Sequence, residues 1–314
     1  MNEDIITSGR MNPMIDPHLE VWEWQIPAYL FLGGLAAGII FFASFSYLQN
    51  KEKNYPTAVR LAPMLVPFIL ILGLFFLFLD LKHKLYFWRL YTTIKLQSPM
   101  SWGAWTLMII TPLSMVWAAL HIRDFFPQWD WKYKWAKSLE SWFEKNKKLL
   151  AWVLVIYALV LGVYTGILFS AFNARPLWNT SILGPLFLIS GLSSGAAVIV
   201  LMSKSKEERH FFAQIDLGLI ALELFLIVHL FMGFLSSNQA QIDSGNLFLG
   251  GDYTAPFWIL VVGLGLVIPA ILEVMEMRNK KIPFQAAALL VLSGGLFLRF
   301  ILSYAGQYSH WVIK

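Results

Sequence analysis

Several ionisable side chains stand inside stretches that are otherwise apolar: Asp80, Asp216, Glu223, His229, Glu273 and Arg299. A charge in hydrocarbon is costly, so such groups are functional candidates for moving ions or protons. Asp216 and Glu223 are seven residues apart and share almost one face of a helix. Acids in that arrangement can pass a proton along a span. They mark a candidate route with Glu273, and Asp80 and Arg299 are further candidates for proton transfer. The competing reading is structural: Arg299 pairs with Asp80 or Glu223 as an internal salt bridge that fixes packing. Glu276, beside Arg278, reads as an interfacial residue.

Other chemistries find little support. The six histidines stand at 18, 83, 121, 210, 229 and 310. A bis-histidine haem needs two at matching depth on facing helices, and only His229 lies clearly inside an apolar stretch. A haem b-bearing anchor therefore stays a minor alternative. The sequence has no cysteine, so it can hold no iron–sulfur cluster through thiolates and form no disulfide. No metal site is expected.

The elements that must position these groups are membrane helices. Hydrophobic residues make up 58% of the 314 and charged residues only 14%, which excludes a soluble globular domain. Uncharged runs of spanning length recur, and the expected fold is an all-α membrane protein with eight transmembrane helices. They fall at about 22–48, 61–81, 101–120, 149–172, 182–203, 211–235, 256–277 and 284–304. One set of loops carries sixteen Lys and Arg and the opposite set seven. The positive-inside rule puts the sixteen in the cytoplasm and both termini outside. The net charge of +5 follows from those loops, so nucleic acid is not an expected partner. The first 20 residues are polar and carry no apolar signal-peptide core. Within "KYKWAKSLESWFEKNKK", Trp135, Leu139, Trp142 and Phe143 share a face opposite the lysines. An amphipathic helix on the inner leaflet, about 132–148, is expected there.

"GLAAG" at 34–38 is echoed by "GLSSG" at 191–195, each after a proline and a Leu-Phe-Leu run. This suggests a duplicated four-helix unit: an external segment 1–21, a first four-helix bundle 22–172, a second 182–304 and an external tail 305–314. Small-xxx-small patterns that merely allow close packing are the simpler explanation of the echo.

Three segments lie on the outer side: "WEWQIPAYLFLGGLAAG" (22–38), "LQSPMSWGAW" (96–105) and "YTGILFSAFNARPLWN" (164–179). Together they resemble the polysulfide reductase NrfD-like family of integral membrane subunits. The resemblance implies a quinone-reactive anchor that binds menaquinone or a similar quinone near the outer face. It implies electron exchange with a peripheral ferredoxin-like subunit holding several [4Fe–4S] clusters, often joined to a molybdopterin oxidoreductase, in a bacterial or archaeal cytoplasmic membrane. Tyr164 matches the family's tyrosine at the quinone pocket. Tyr29 falls where some members have a histidine, and a phenol can donate to a quinone oxygen as an imidazole can. Where some members have an asparagine, Ile26 stands here with Gln25 beside it. Asp80, Glu223 and Arg299 resemble acidic and basic positions of longer members.

The chemistry is coherent without the resemblance. A quinone head needs hydrogen-bond partners, a proton exit and an apolar cleft open to lipid for its tail. Tyr29, Tyr164 and Gln25 are the candidate pocket, and Asp80 or Glu223 the proton acceptor. The expected protein is the quinone-interacting subunit of an oxidoreductase, not catalytic alone. A proton-coupled secondary transporter using Asp216 and Glu223 is the rival from another class.

Overall fold

The computed structural model describes residues 22–278 and 283–311, so the expected external segment 1–21 and the end of the expected tail lie outside the described residues. The described residues are helical, with no strand among them. Among the described residues, eight helices are long and apolar enough to cross a membrane: Gln25–Leu48, Thr57–Asp80, Pro99–Leu120, Lys147–Ser170, Leu183–Met202, Lys206–Leu235, Thr254–Met277 and Phe284–Tyr308. The number matches the sequence expectation. Helices are the natural outcome, because in lipid each backbone donor and acceptor must be satisfied within its own segment.

The first and fifth spans are central. Of their apolar stretches 83% and 72% are buried, against 33% for the second, sixth and seventh spans. The first span packs on the second, fourth, fifth and eighth, and the fifth also packs on the fourth, sixth and eighth. The two echoed glycine motifs meet here. A Cβ on Gly191 would come within 2.8 Å of the Gly34 carbonyl oxygen, and one on Gly195 within 2.5 Å of the Gly38 carbonyl carbon. Small residues let the two backbones touch, which drives packing where the hydrophobic effect cannot.

Two spans depart from regular α geometry. The second opens with a π turn at Thr57–Leu61 and a 3-10 turn at Ala62–Leu65. The seventh is π-helical over Phe257–Val267 and becomes α-helical from Ile268. Pro63 and Pro269 lie just after these wide turns, and a proline removes a donor and crowds the carbonyl four residues back.

The lysine-rich end (the basic end) is held by long-range contacts. Glu208 on the sixth span accepts from the Ala58 amide at 2.8 Å and from the Ser203 hydroxyl at 2.9 Å. The expected amphipathic helix is present at Lys134–Lys145, with Trp135, Leu139 and Trp142 exposed. It is tied back by Arg123–Glu140 at 2.8 Å. At the opposite end, called here the tyrosine end, a short helix Gln239–Asn246 follows the sixth span. The sequence reading did not anticipate it.

Candidate functional site

At the tyrosine end, Tyr29 of the first span and Tyr164 of the fourth are both buried, 3% and 7% exposed. The two phenols are neighbours, each acting on the other. Glycines shape the seat. A Cβ on Gly103, in the "WGAW" turn of the third span, would occupy the position of the Tyr164 ring and hydroxyl. A Cβ on Gly73 of the second span would lie 3.6 Å from the Tyr29 ring. Two motif segments that are distant in sequence are therefore one contact. The "SPMSWGAW" glycine makes room for the tyrosine that follows some sixty residues later.

A third phenol, Tyr91, comes from the loop between the second and third spans and adds its field to Tyr29. Burial pushes the Tyr91 phenol up, so it remains a neutral donor. Sequence reasoning passed over Tyr91 because the loop reads as an ordinary interfacial aromatic stretch.

Two apolar clefts flank the third span. The larger, about 530 Å³, is lined by Gln97, Pro99, Trp102, Val163, Tyr164 and Ile167 among others. The smaller, about 290 Å³, is lined by Leu74, Tyr91, Leu107, Met108 and Thr111. The polar groups along the larger cleft are few: the Tyr164 hydroxyl and the Gln97 amide, beside the Trp102 indole that donates to the Leu96 carbonyl at 2.7 Å. Such a cleft suits a ligand with an apolar tail and a small polar head. Gln97 is a second residue that the sequence reading missed.

Gln25 stands one turn before Tyr29 and so on the same helix face. Its amide reaches Glu23 at 3.4 Å and its buried carbonyl oxygen has no partner among the described residues. Asp80, at the end of the second span, is partly buried and its acidic neighbour is Glu23. Ile26 is packed in the core.

The other ionisable residues gather between the fifth to eighth spans. Arg299 is fully buried and donates to the Ser190 hydroxyl at 2.6 Å, the Gly295 carbonyl at 2.8 Å and the Phe187 carbonyl at 3.0 Å. Glu223 lies close enough to feel the Arg299 charge and stands near the same Ser190. Of the two carboxyls open in the sequence, Glu223 is the one whose charge acts on Arg299. Asp216 takes a 2.5 Å hydrogen bond from Ser193 and faces Glu273. Asp216 and Glu223 share a helix face as expected, yet each has its own serine from the "GLSSG" region. His229 is turned outward, its Nδ1 at 3.0 Å from the Phe225 carbonyl of its own helix. No group of three or more His, Cys, Asp or Glu able to hold a metal occurs among the described residues.

The "RPLWN" motif does structural work at the same end. Trp178 donates to the Leu302 carbonyl at 2.8 Å and its indole fills the space over Gly306 of the eighth span. It stacks on Phe169 at 4.9 Å, one and a half turns beyond Tyr164. Arg175 donates to the Ser309 carbonyl at 3.1 Å. Gln307 exchanges two hydrogen bonds with the Trp22 backbone, at 2.9 and 2.8 Å. These contacts pin the starts and ends of three spans around the tyrosine pair.

Fold and site together define a polytopic helical membrane protein with a phenol pair beside an apolar cleft and a separate buried polar line. The protein belongs to the family described as "Polysulphide reductase, NrfD", whose model matches residues 11–309. It is 32% identical over 302 residues to protein NrfD of Escherichia coli, covering 91% of this sequence and 95% of that one. It is 30% identical over 301 residues to a polysulfide reductase polypeptide of Wolinella succinogenes, covering 91% and 94%. A selenate reductase subunit from Mesobacillus selenatarsenatis is 24% identical over 314 residues, covering 90% and 72%. Eight apolar helices and this membership make it a multi-pass protein of the inner membrane.

Proposed function

We propose that this protein is the quinone-reactive membrane subunit of a respiratory reductase complex. It exchanges electrons between menaquinol, or a related quinol, and a peripheral iron–sulfur subunit that leads to a molybdopterin catalytic subunit. The observation that carries the reading is the Tyr29–Tyr164 pair, seated on Gly103 at the wall of the 530 Å³ cleft. Relatives named as parts of polysulfide and selenate reductases support it.

In this reading the isoprenoid tail lies in the cleft between the third and fourth spans. The head meets the Tyr164 hydroxyl and the Gln97 amide, with Tyr29 behind Tyr164. Oxidation of one quinol releases two electrons to the partner's clusters and two protons. Each phenol both donates and accepts, so rotation of the Tyr164 and Tyr29 hydroxyls can relay a proton between the quinol oxygen and Tyr91, Gln25 and Asp80. The same groups serve quinone reduction when the electrons run the other way.

The buried polar line gives protons a second path, through Asp216, Glu223 and Arg299. The Arg299 guanidinium abuts the first span at Gly34, where a Cβ would lie 3.1 Å away. Gly34 is five residues from Tyr29, roughly 7–8 Å along a helix. The basic end faces the cytoplasm and the tyrosine end, with both termini, faces outward, as the loop charges require. The packing of spans one to four and five to eight on each other supports two four-helix bundles joined along the glycine motifs.

The test is Tyr164→Phe in the assembled complex. Quinol-linked turnover should fall sharply while the peripheral subunits keep their activity with an artificial donor. Unchanged quinol turnover would remove Tyr164 from the site.

A further inference from the structure

The contact between Asp216 and Glu273 is not explained by packing. Asp216 stands on the sixth span and Glu273 on the seventh, 1% and 3% exposed. Ser193, from the fifth span, donates to Asp216 Oδ1 at 2.5 Å. The two carboxyl groups face each other across the packed sixth and seventh spans. Yet Asp216 Oδ2 and Glu273 Oε2 are both buried with no hydrogen-bond donor among the described residues. Two ionised carboxylates offer acceptors alone, so this geometry leaves two orphaned oxygens and a like-charge repulsion. One proton between them removes both faults.

Among the described residues, the groups acting on the pair supply no substitute for that proton. Glu276, on the seventh span, adds negative potential at Glu273, and the Asp216 charge is felt in turn by Glu223 on its own helix. The fifth span contributes the neutral Ser193 hydroxyl. Arg299, on the eighth, answers to Glu223. A metal ion fits poorly, since two carboxylates and one hydroxyl fall short of the six or more oxygens a hard divalent cation takes. The sequence echo points the same way: Ser193 occupies the place that Ala36 holds in the first motif. The hydroxyl is present only in the half that carries the acids.

We infer that Asp216 and Glu273 hold one shared, exchangeable proton between the sixth and seventh spans, positioned by Ser193, and form the loading point of the proton route at the basic end. Its role in turnover rests on the proton route proposed above; the existence of the shared proton does not. The pair carries one negative charge when loaded. Release gives two carboxylates and one free proton, and uptake from the cytoplasmic side by way of Glu276 restores the pair. No electron moves in this step.

Infrared spectroscopy of the lipid-reconstituted protein tests it without any quinol. A protonated-carboxyl C=O band should be present at neutral pH, shift in heavy water and vanish on alkaline titration. Asp216→Asn and Glu273→Gln should each remove it, and Ser193→Ala should shift its frequency. If Asp216→Asn fails to assemble, Glu273→Gln carries the test, because its amide can donate to Asp216. Absence of the band in the unaltered protein, its survival in Glu273→Gln, or its displacement by added sodium ions would overturn the inference. A band that behaves as expected, with turnover-linked proton uptake unaffected by Glu273→Gln, would keep the shared proton and overturn its place as the loading point.

Discussion

Tyr29 and Tyr164 are neighbouring buried phenols, and Tyr164 occupies the space that Gly103 leaves open. Three spans thereby meet at one phenol pair. Tyr29→Phe keeps the ring and removes only the hydroxyl beside Tyr164. Quinol-linked turnover should fall less than in Tyr164→Phe, where the loss expected for a proton-transferring group is roughly 100-fold or more. Steady-state rates of the two variants, measured with an artificial donor as the control, check the order. A larger loss in Tyr29→Phe would make Tyr29 the group in contact.

Gly103→Ala should imitate the loss of Tyr164, because the added methyl takes the place of the phenol. Gly218 has nothing within 4 Å of a Cβ, so Gly218→Ala is the matched control. Quinol turnover of the two variants at equal membrane content gives the answer, and equal activity would refute the seating of Tyr164 on Gly103.

At the first–fifth interface the expected effect is on stability. Gly195→Ala forces a methyl against the Gly38 backbone and should cost about 1–3 kcal/mol. Thermal unfolding in detergent should show it as a clear drop in midpoint. An unchanged midpoint would mean the two helices can separate there without loss.

Glu223→Gln tests the proton line separately from the quinone site. The amide can still bond Ser190 but cannot carry a proton in turn. Proton uptake by proteoliposomes containing the complex should change while electron transfer continues. Normal uptake would leave Glu223 and Arg299 as a packing device.

His121, just beyond the third span, gives a pH dependence. Burial first, and then the nearby Lys147, push its imidazole down, against the weaker pull of Glu52 and Asp124. The folded state therefore binds its proton less readily than the unfolded state does. The resulting stability is present above the unfolded value of about 6.5 and is lost as pH falls through the depressed folded one. Unfolding midpoints should decline over that acid window, and His121→Gln should flatten the decline. Parallel curves would show that His121 does not govern it.

The eight spans and the amphipathic helix were legible because length, charge and periodicity decide them locally. Tyr29 and Tyr164 were legible as candidates, but their contact was not, since it depends on Gly103 and Gly73 from two other spans. Asp216 and Glu223 were correctly placed on one face. What the face could not tell was that Ser193 and Ser190 divide them between Glu273 and Arg299. Tyr91 and Gln97 escaped because a loop tyrosine and a glutamine before a proline are ordinary in themselves. The short helix Gln239–Asn246 is polar and only eight residues long, so no apolar period announced it.

The central claim, that a quinone head meets Tyr164 beside the cleft between the third and fourth spans, is tested most directly by photoaffinity labelling. A photoreactive quinone analogue, irradiated with the reconstituted complex and followed by peptide mapping, should label residues 97–102 and 159–167. The labelling should fall in Tyr164→Phe and in the presence of excess quinone. Labelling confined to other spans, or unaffected by excess quinone, would contradict the account.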